Sequence, residues 1–489
     1  MGFDLDSNQR RKLGYKLIDA IDQYYSSLPD RNVQLPLELR TFGQLKDSMP
    51  EIGESAESVL DDAVQELIDK GFHVPSANYF GLMNPTPTYM AVLAEALVAA
   101  LNPQLATLAR SQLASKIESE TVRWIAERVG WCKVTGGVKP CGTEKKCCDG
   151  TFTTGGNEAN FTALALAIAA YFPQAIEDGV ASIGAQPVIY ASAESHHSLD
   201  KSAGLLGLGR KALRRVPVDS RVMMDVGQLD RAIQEDRAAG RKPFCIVATA
   251  GTTNSGAVDD LMALSAVAKK YDLWLHVDGA YGAAAIFSDK HRDLVRGIEE
   301  ADSITLDPHK WLSMPFAAGV ILTSRPETLE RAFSVTTPYM PKVEGATLID
   351  NFKVSTQWSR RMNSLKLWLT LRVHGRQAYE ELIDRQMKLS RKMAQWFETS
   401  EDFELTCPPK LPILNFRMKM NGAPAEQAVA NKAIVDAVTR DGKVWISHTY
   451  VSGQSVCRMM VISYLTDENN LEAVQQALVK AAAEVKVKA

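Results

Sequence analysis

Apolar and polar positions change rhythm twice along the 489 residues. In Ser58–Phe72 the apolar positions Val59, Leu60, Val64, Leu67 and Ile68 recur at helical spacing, and Gly71 stands where such a helix would end. Residues 1–75 therefore read as mainly helical, interrupted at Ser27–Pro36 and Pro50–Ser55. From about 90 to 375 the pattern becomes short apolar runs separated by helical stretches: Pro187–Ser192, Phe244–Ala250, Leu273–Asp278, Ser303–Leu306 and Gly319–Thr323. Strands interleaved with helices need crossover connections, which predicts an α/β unit with a mostly parallel sheet. Beyond a helix predicted over Ser364–Leu382, strands at Ile413–Met418 and Arg458–Tyr464 and a closing helix at Asn470–Val485 predict a smaller α+β unit. The expected division is an N-terminal helical segment (1–89), a large α/β domain (90–375) and a small C-terminal domain (376–489).

Composition narrows the class without naming a function. The chain is 46% hydrophobic and 23% charged, close to an ordinary globular protein and able to bury a large core. A formal net charge of −3 gives no electrostatic reason to expect a nucleic acid or an anionic membrane as partner. The longest apolar stretches, Met90–Leu101 and Thr162–Phe172, are too short to span a bilayer, and the N-terminus lacks the uncharged core of an export signal. Seven cysteines are too few for a disulfide scaffold and leave at least one thiol free, so a reducing cytoplasm is expected. Four of them fall in Cys132–Cys148, where no CxxC pair occurs and Cys147 adjoins Cys148. That spacing reads as a Lys/Gly-rich surface loop rather than a zinc site, and no metal is expected.

In an open α/β sheet, ligands bind beyond the carboxyl ends of the strands, so the strand-end segments carry the chemistry. Thr153-Thr-Gly-Gly-Asn-Glu-Ala-Asn160 opens a helix predicted over Asn157–Ala170, where small residues and a helix N-terminus suit a phosphate. Asp278 ends the apolar run LWLHVD; a carboxylate buried there requires a counter-charge, in the plainest case an Arg or Lys. Lys310 follows SITL within Asp307-Pro-His-Lys-Trp311 and reads either as a solvated strand-end lysine or as an amine nucleophile in a partly dry cleft. Glu194-Ser-His-His-Ser198 adds imidazoles. A phosphate cup, an acid able to face a protonated ring nitrogen, an imidazole and an imine-forming lysine together match the needs of pyridoxal 5'-phosphate. The string Gly207-Leu-Gly-Arg-Lys-Ala212 has the spacing of a dinucleotide fingerprint but ends a helical run instead of following a strand, which argues against a dehydrogenase.

These segments, in this order and together with His196–Ala203, Ala248–Asp259, Tyr79–Thr88, LELR, PEIGES and SRRMNSLKLW, resemble the group II pyridoxal-phosphate-dependent amino-acid decarboxylases. That family includes aromatic L-amino acid, glutamate and diaminobutyrate decarboxylases, and the resemblance covers nearly the whole chain. It implies a fold-type I, transferase-like α/β architecture in which Lys310 holds the cofactor as an imine and Asp278 pairs with the ring nitrogen. His196, rather than His197, would stack on the ring, with Ala280 on the opposite face. Gly155, Gly156 and Asn157 would hold the phosphate, and Thr253 would lie near the phenolic oxygen or the substrate carboxylate. Asp307 and His309 would flank the lysine, although the family often has Asn at the position of Asp307. Tyr339 matches the loop tyrosine that returns a proton to the substrate carbon, which favours an amine product over an aldehyde. Leu82, Met83, Asn84 and Pro85 would line the substrate pocket, and Leu82, Met83 and Trp311 lean toward an aromatic amino acid. A homodimer with sites between subunits, wrapped by the N-terminal helices, is implied. The rival readings are an aldehyde synthase or an aminotransferase, the latter using Arg458 for a second carboxylate. Two stretches depart from the family pattern: Ser111–Glu118, where Ser-Pro-Ala is usual, and the long Cys132–Cys148 segment.

Overall fold

The computed structural model describes residues 4–36, 48–131, 148–336 and 349–488. Tyr339, Cys132–Cys147 and the LELR segment lie outside the described residues. The large unit is a seven-stranded sheet of β1 (Asp149–Thr153), β2 (Pro187–Ser192), β3 (Leu213–Val216), β4 (Lys242–Thr249), β5 (Trp274–Asp278), β6 (Ser303–Leu306) and β7 (Gly319–Thr323). Its order is β1-β7-β6-β5-β4-β2-β3. The pairs from β3 through β6 are parallel, while β7 runs antiparallel to both β6 and β1. The mixed, mostly parallel α/β sheet expected from the sequence is thus present. β2, β5, β6 and β7 are buried at every position, as strands covered by helices on both faces must be. The helix Gly156–Tyr171 packs its Ala- and Leu-rich body across the sheet, with ten of its residues buried.

The strands that the apolar pattern missed are short or polar. β1 reads DGTFT, and β3 reads LRRV with Arg214 paired outward to Asp236 at 2.8 Å. In the C-terminal unit β8 (Phe403–Leu405), β9 (Ile413–Met418), β10 (Ser447–Val451) and β11 (Gln454–Met460) form an antiparallel sheet of order β10-β11-β9-β8. β11 lies four residues earlier than the expected Arg458–Tyr464. Ser452 and Gly453, with φ of 49° and 76°, make a two-residue hairpin that pairs Val451 with Gln454 and sets the register from the turn.

Segment 78–81 is stitched onto this small sheet. Tyr79 bridges Trp445, the Phe80 N–H donates to the Trp445 carbonyl at 2.8 Å, and the Met460 N–H donates to the Phe80 carbonyl at 2.8 Å. Phe80 is fully buried in the small unit's core. The helix expected over Ser364–Leu382 runs on to Thr399 and kinks at Gly375 instead of ending. Gly375 has φ 70° and ψ 174°, a conformation that only glycine adopts without strain. No atom lies within 4 Å of where a Cβ would stand. Gly375→Ala is therefore expected to lower the unfolding free energy by about 1–3 kcal/mol through backbone strain alone, read as a shift of the urea midpoint at unchanged slope.

Candidate active site

At the carboxyl ends of β4, β5 and β6 lies a cavity of about 280 Å³ lined by Met83, Gly155, Gly156, Asn157, Asn160, His196, Thr249, Gly251, Thr253, Asp278, Ala280, Tyr281, Asp307, His309 and Lys310. The topology explains the convergence. β1 delivers Thr153 and the Gly155–Asn157 turn, β5 delivers Asp278, and β6 delivers Asp307 and Lys310. Of the residues assigned to the cofactor from the sequence, Gly155, Gly156, Asn157, His196, Thr253, Asp278, Ala280, Asp307, His309 and Lys310 all face this one space.

The cup is tight. A Cβ on Gly156 would stand 2.8 Å from Asp307 Oδ2, and one on Gly155 would stand 3.0 Å from His309 Cε1. Gly319, paired with Thr153 across β7 and β1, is tighter still, since its Cβ would meet both Gly155 Cα and Thr153 Oγ1 at 2.5 Å. Glu158, in the first turn of the helix, accepts from the Thr154 N–H at 2.8 Å and from Gln357 Nε2 at 2.8 Å, which anchors the cup from behind.

Asp278 is 5% exposed, and the cationic protein partner expected for it is not there: it makes no ion pair among the described residues. Its Oδ2 accepts from Asn160 Nδ2 at 2.8 Å and its Oδ1 from the Ala280 N–H at 3.2 Å. A buried carboxylate held by neutral donors and facing a cavity fits a cofactor that brings its own positive ring nitrogen. Lys310 Nζ lies 3.2 Å from Asp307 Oδ2, and Asp307 Oδ1 is buried without a partner. Burial pushes the imidazoles of His196 and His309 below their usual 6.5. His196 Nδ1 accepts from the Ser198 N–H at 3.2 Å, whereas the His197 side chain is 95% exposed beside Asp200.

Not every candidate reaches the cavity. Of the four pocket residues named from the sequence only Met83 lines it; Leu82 is 44% exposed, and Asn84 and Pro85 are absent from the wall. Residues 81–83 form a bend in which the Asn84 N–H donates to the Leu82 carbonyl at 2.8 Å, and of its side chains only that of Met83 reaches the cavity. Trp311 is core beneath the site rather than pocket wall: it is fully buried, stacks on Tyr281 at 5.1 Å and donates to Gln386 Oε1 at 2.7 Å. Arg458 is also off the wall, with its N–H groups directed at the Thr253 carbonyl (2.8 Å) and Ser447 Oγ (3.0 Å). Burial lowers it to about 10. Asn160, Thr249, Gly251 and Tyr281 were not singled out from the sequence. Asn160 left one signal, a polar amide on the otherwise apolar face of a buried helix.

A cup at a helix N-terminus, an uncompensated strand-end carboxylate and a lysine on one cavity define a pyridoxal-phosphate site on an α/β sheet. The chain belongs to the family described as the pyridoxal-dependent decarboxylase conserved domain, whose model matches residues 36–419. It is 29% identical over 490 residues to an aromatic-L-amino-acid decarboxylase of Bacillus atrophaeus, covering 99% of this chain and 97% of that one. It is 30% identical over 489 residues to tyrosine decarboxylase 2 of Arabidopsis thaliana, covering 97% and 87%. Among solved structures, the Catharanthus roseus tryptophan decarboxylase in complex with L-tryptophan superposes with a TM-score of 0.86 at 26% identity, covering 99% of this chain and all of that one. The protein is accordingly a pyridoxal-phosphate-dependent carboxy-lyase acting on amino acids. No helix among the described residues is long and apolar enough to cross a membrane.

Two measurements follow from this geometry. Gly319→Ala, which drives a methyl into the cup, is expected to weaken cofactor binding by about tenfold or more in a titration of cofactor-free protein. Burial pushes His276, beneath Asp278, down to about 4 from the usual 6.5. The unfolded chain therefore binds a proton between pH 6.5 and 4 that the folded chain refuses, so this contribution to stability is complete above pH 6.5 and is lost as pH falls toward 4. Relative to His276→Gln, in which all other titrating groups are shared, the cofactor-free protein is expected to lose more stability as pH falls from 7 to 4 in urea unfolding.

Proposed function

We propose that this enzyme decarboxylates an aromatic L-amino acid to its amine and carbon dioxide. The observation that carries the reading is that Lys310 and the uncompensated Asp278 open on the same cavity, with His196 and Ala280 on its walls. When bound, pyridoxal phosphate supplies an electron sink for the pair released as carbon dioxide leaves. Lys310 is the amine that would hold the cofactor through its aldehyde, and its Nζ lies 3.2 Å from Asp307 Oδ2 on the cavity wall. Asp278 would hold the proton on the ring nitrogen, and Gly155, Gly156 and Asn157 would take the phosphate at the N-terminus of their helix. His196, kept neutral by burial on the cavity wall, would face the ring without adding a charge that opposes that proton. Thr253 and His309 orient the substrate and cofactor oxygens, and Tyr339 returns the proton to the substrate carbon.

The aromatic preference rests on the wall and on the relatives. Among the described lining residues the only side-chain cation is Lys310, so nothing there meets a second substrate carboxylate, and Met83 supplies an apolar surface. Arg458, which an aminotransferase would need free, is directed at protein oxygens. The three relatives described above are named for aromatic amino acids, whereas the L-2,4-diaminobutyrate decarboxylase of Acinetobacter baumannii, 28% identical, is named for an aliphatic one.

The functional unit in this reading is a cytoplasmic homodimer in which segment 1–89 wraps the partner of a core spanning 90–375 and a small domain spanning 376–489. Helices Ser7–Ser27 and Ala56–Lys70 contain no buried residue and meet through Lys16 with Glu57 and Asp61, leaving Leu17, Ile18, Val59 and Leu67 exposed. Light scattering should give twice the chain mass; a fully active monomer contradicts the dimer.

Carbon dioxide release over a panel of L-amino acids, with amine and aldehyde quantified separately, is expected to show highest kcat/KM for an aromatic substrate and amine as the main product. Tyr339→Phe should shift the product toward aldehyde, and borohydride should fix cofactor to Lys310 but not to a Lys310→Ala variant. Aldehyde as the main product of the unaltered enzyme would remove the role given to Tyr339.

A further inference from the structure

Asn160 is 1% exposed and sits one turn into the helix that begins at the cup. Its Nδ2 donates to Asp278 Oδ2 at 2.8 Å and to Ser198 Oγ at 2.9 Å. Its Oδ1 accepts from Thr305 Oγ1 at 2.8 Å and faces His276 Nε2 at 3.1 Å. An amide side chain has two N–H groups and two acceptor positions, and here all four are engaged. The amide cannot be turned over, because its oxygen would then face the acceptor-only carboxylate of Asp278.

That orientation dictates the state of the next residue. Facing an amide oxygen, His276 Nε2 must carry a proton. His276 is fully buried and neutral, its pKa lowered to about 4 by burial, so it has one N–H and its Nδ1 must accept. Nδ1 lies 2.9 Å from Ser303 Oγ, which can donate to it, and 3.2 Å from the Ser303 carbonyl. Ser303 Oγ in turn accepts from the Trp274 indole N–H at 2.8 Å. The chain from Trp274 through Ser303, His276 and Asn160 to Asp278 begins at a donor-only group and ends at an acceptor-only group. In that arrangement every link has one donor and one acceptor; the other tautomer of His276 would keep a bond to Ser303, through its carbonyl or Oγ, but would lose the one to Asn160.

We propose that Asn160 is a positioning residue for decarboxylation, which closes a hydrogen-bond chain from Trp274 and the Nε2–H tautomer of His276 and so aims the Asp278 carboxylate at the cofactor's ring nitrogen. The proposal rests on the reading that Asp278 faces that nitrogen. The buried acid is oriented entirely by neutral donors, which leaves its charge uncompensated by the protein.

The test combines a tautomer measurement with a variant series on the holoenzyme. In protein labelled with ¹⁵N-histidine, using His276→Gln to assign the signals, His276 should show a protonated Nε2 and an unprotonated Nδ1 at neutral pH. The opposite tautomer would overturn the chain. Asn160→Asp replaces the donor to Asp278 with a carboxylate oxygen at nearly the same volume, and kcat is expected to fall about 100-fold with KM held within about threefold. Cofactor affinity should fall about tenfold in the same variant. His276→Gln keeps an N–H toward Asn160 and should stay within about threefold of the unaltered enzyme, whereas His276→Leu should fall with Asn160→Asp. Equal damage from His276→Gln and His276→Leu would show that only the bulk of the imidazole matters and would overturn the proposal. Asp278→Asn separates the two claims. If that variant binds cofactor and turns over normally, the assignment of Asp278 fails; if it is damaged while Asn160→Asp is not, the positioning role alone fails.

Discussion

A carboxylate placed at the buried end of a central strand is the constraint around which this site is arranged. Removing a charge from water without compensation costs several kcal/mol. The chain meets that cost at Asp278 with an amide side chain and a backbone N–H instead of an arginine. The choice has consequences for the neighbours. His276 must be neutral, Asn160 must present its nitrogen, and the opposite side of the carboxylate must stay open to the cavity. A salt bridge would have been the simpler way to bury the acid, but it would have occupied the face that a cofactor needs.

The phosphate cup shows the same division between what touches the cavity and what holds it in place. β1 is an edge strand with little apolar content, and its register against β7 is reinforced from outside the sheet. Arg360, 3% exposed, donates to the Phe152 carbonyl at 2.6 Å and to Thr151 Oγ1 at 2.8 Å, and it pairs with Glu118 on the helix Leu108–Val129. The stretch Ser111–Glu118, which departs from the family pattern, thus carries the acid that anchors the strand leading into the cup. Arg361 and Lys366 both pair with Glu95, so the SRRMNSLKLW segment ties three parts of the large unit together through charge.

Most of the sheet was legible in the sequence because its central strands are buried along their whole length and read as short, mainly apolar runs; β2, β6 and β7 fall on the predicted residues. β1, β3, β8 and β10 were not legible, since edge strands and half-solvated strands carry Thr, Arg, Glu and His and lose that signature. The register of β11 was misjudged because the apolar run Met459–Ile462 outweighed the Ser452–Gly453 turn that starts the pairing. At the site, the residues with a chemical signature at strand ends were found from sequence, whereas Asn160 was not. Its importance lies in which four groups surround it, and that is a property of packing that a linear pattern does not display. Trp311 failed in the opposite direction: an aromatic beside the lysine suggested pocket, but its indole is satisfied by Gln386 below the cavity floor.

Met83 reaches the cavity from a segment whose backbone is paired into the small sheet through Trp445 and Met460, and the Arg458 side chain on β11 holds the Thr253 carbonyl of the opposite wall. The rim of the pocket therefore belongs mechanically to the C-terminal sheet, although its chemistry belongs to the large one. The shape of the cavity can thus be altered from the far side of the molecule: a repacking between Trp445 and Phe72 would act on Met83 through its backbone without changing any residue that lines the cavity.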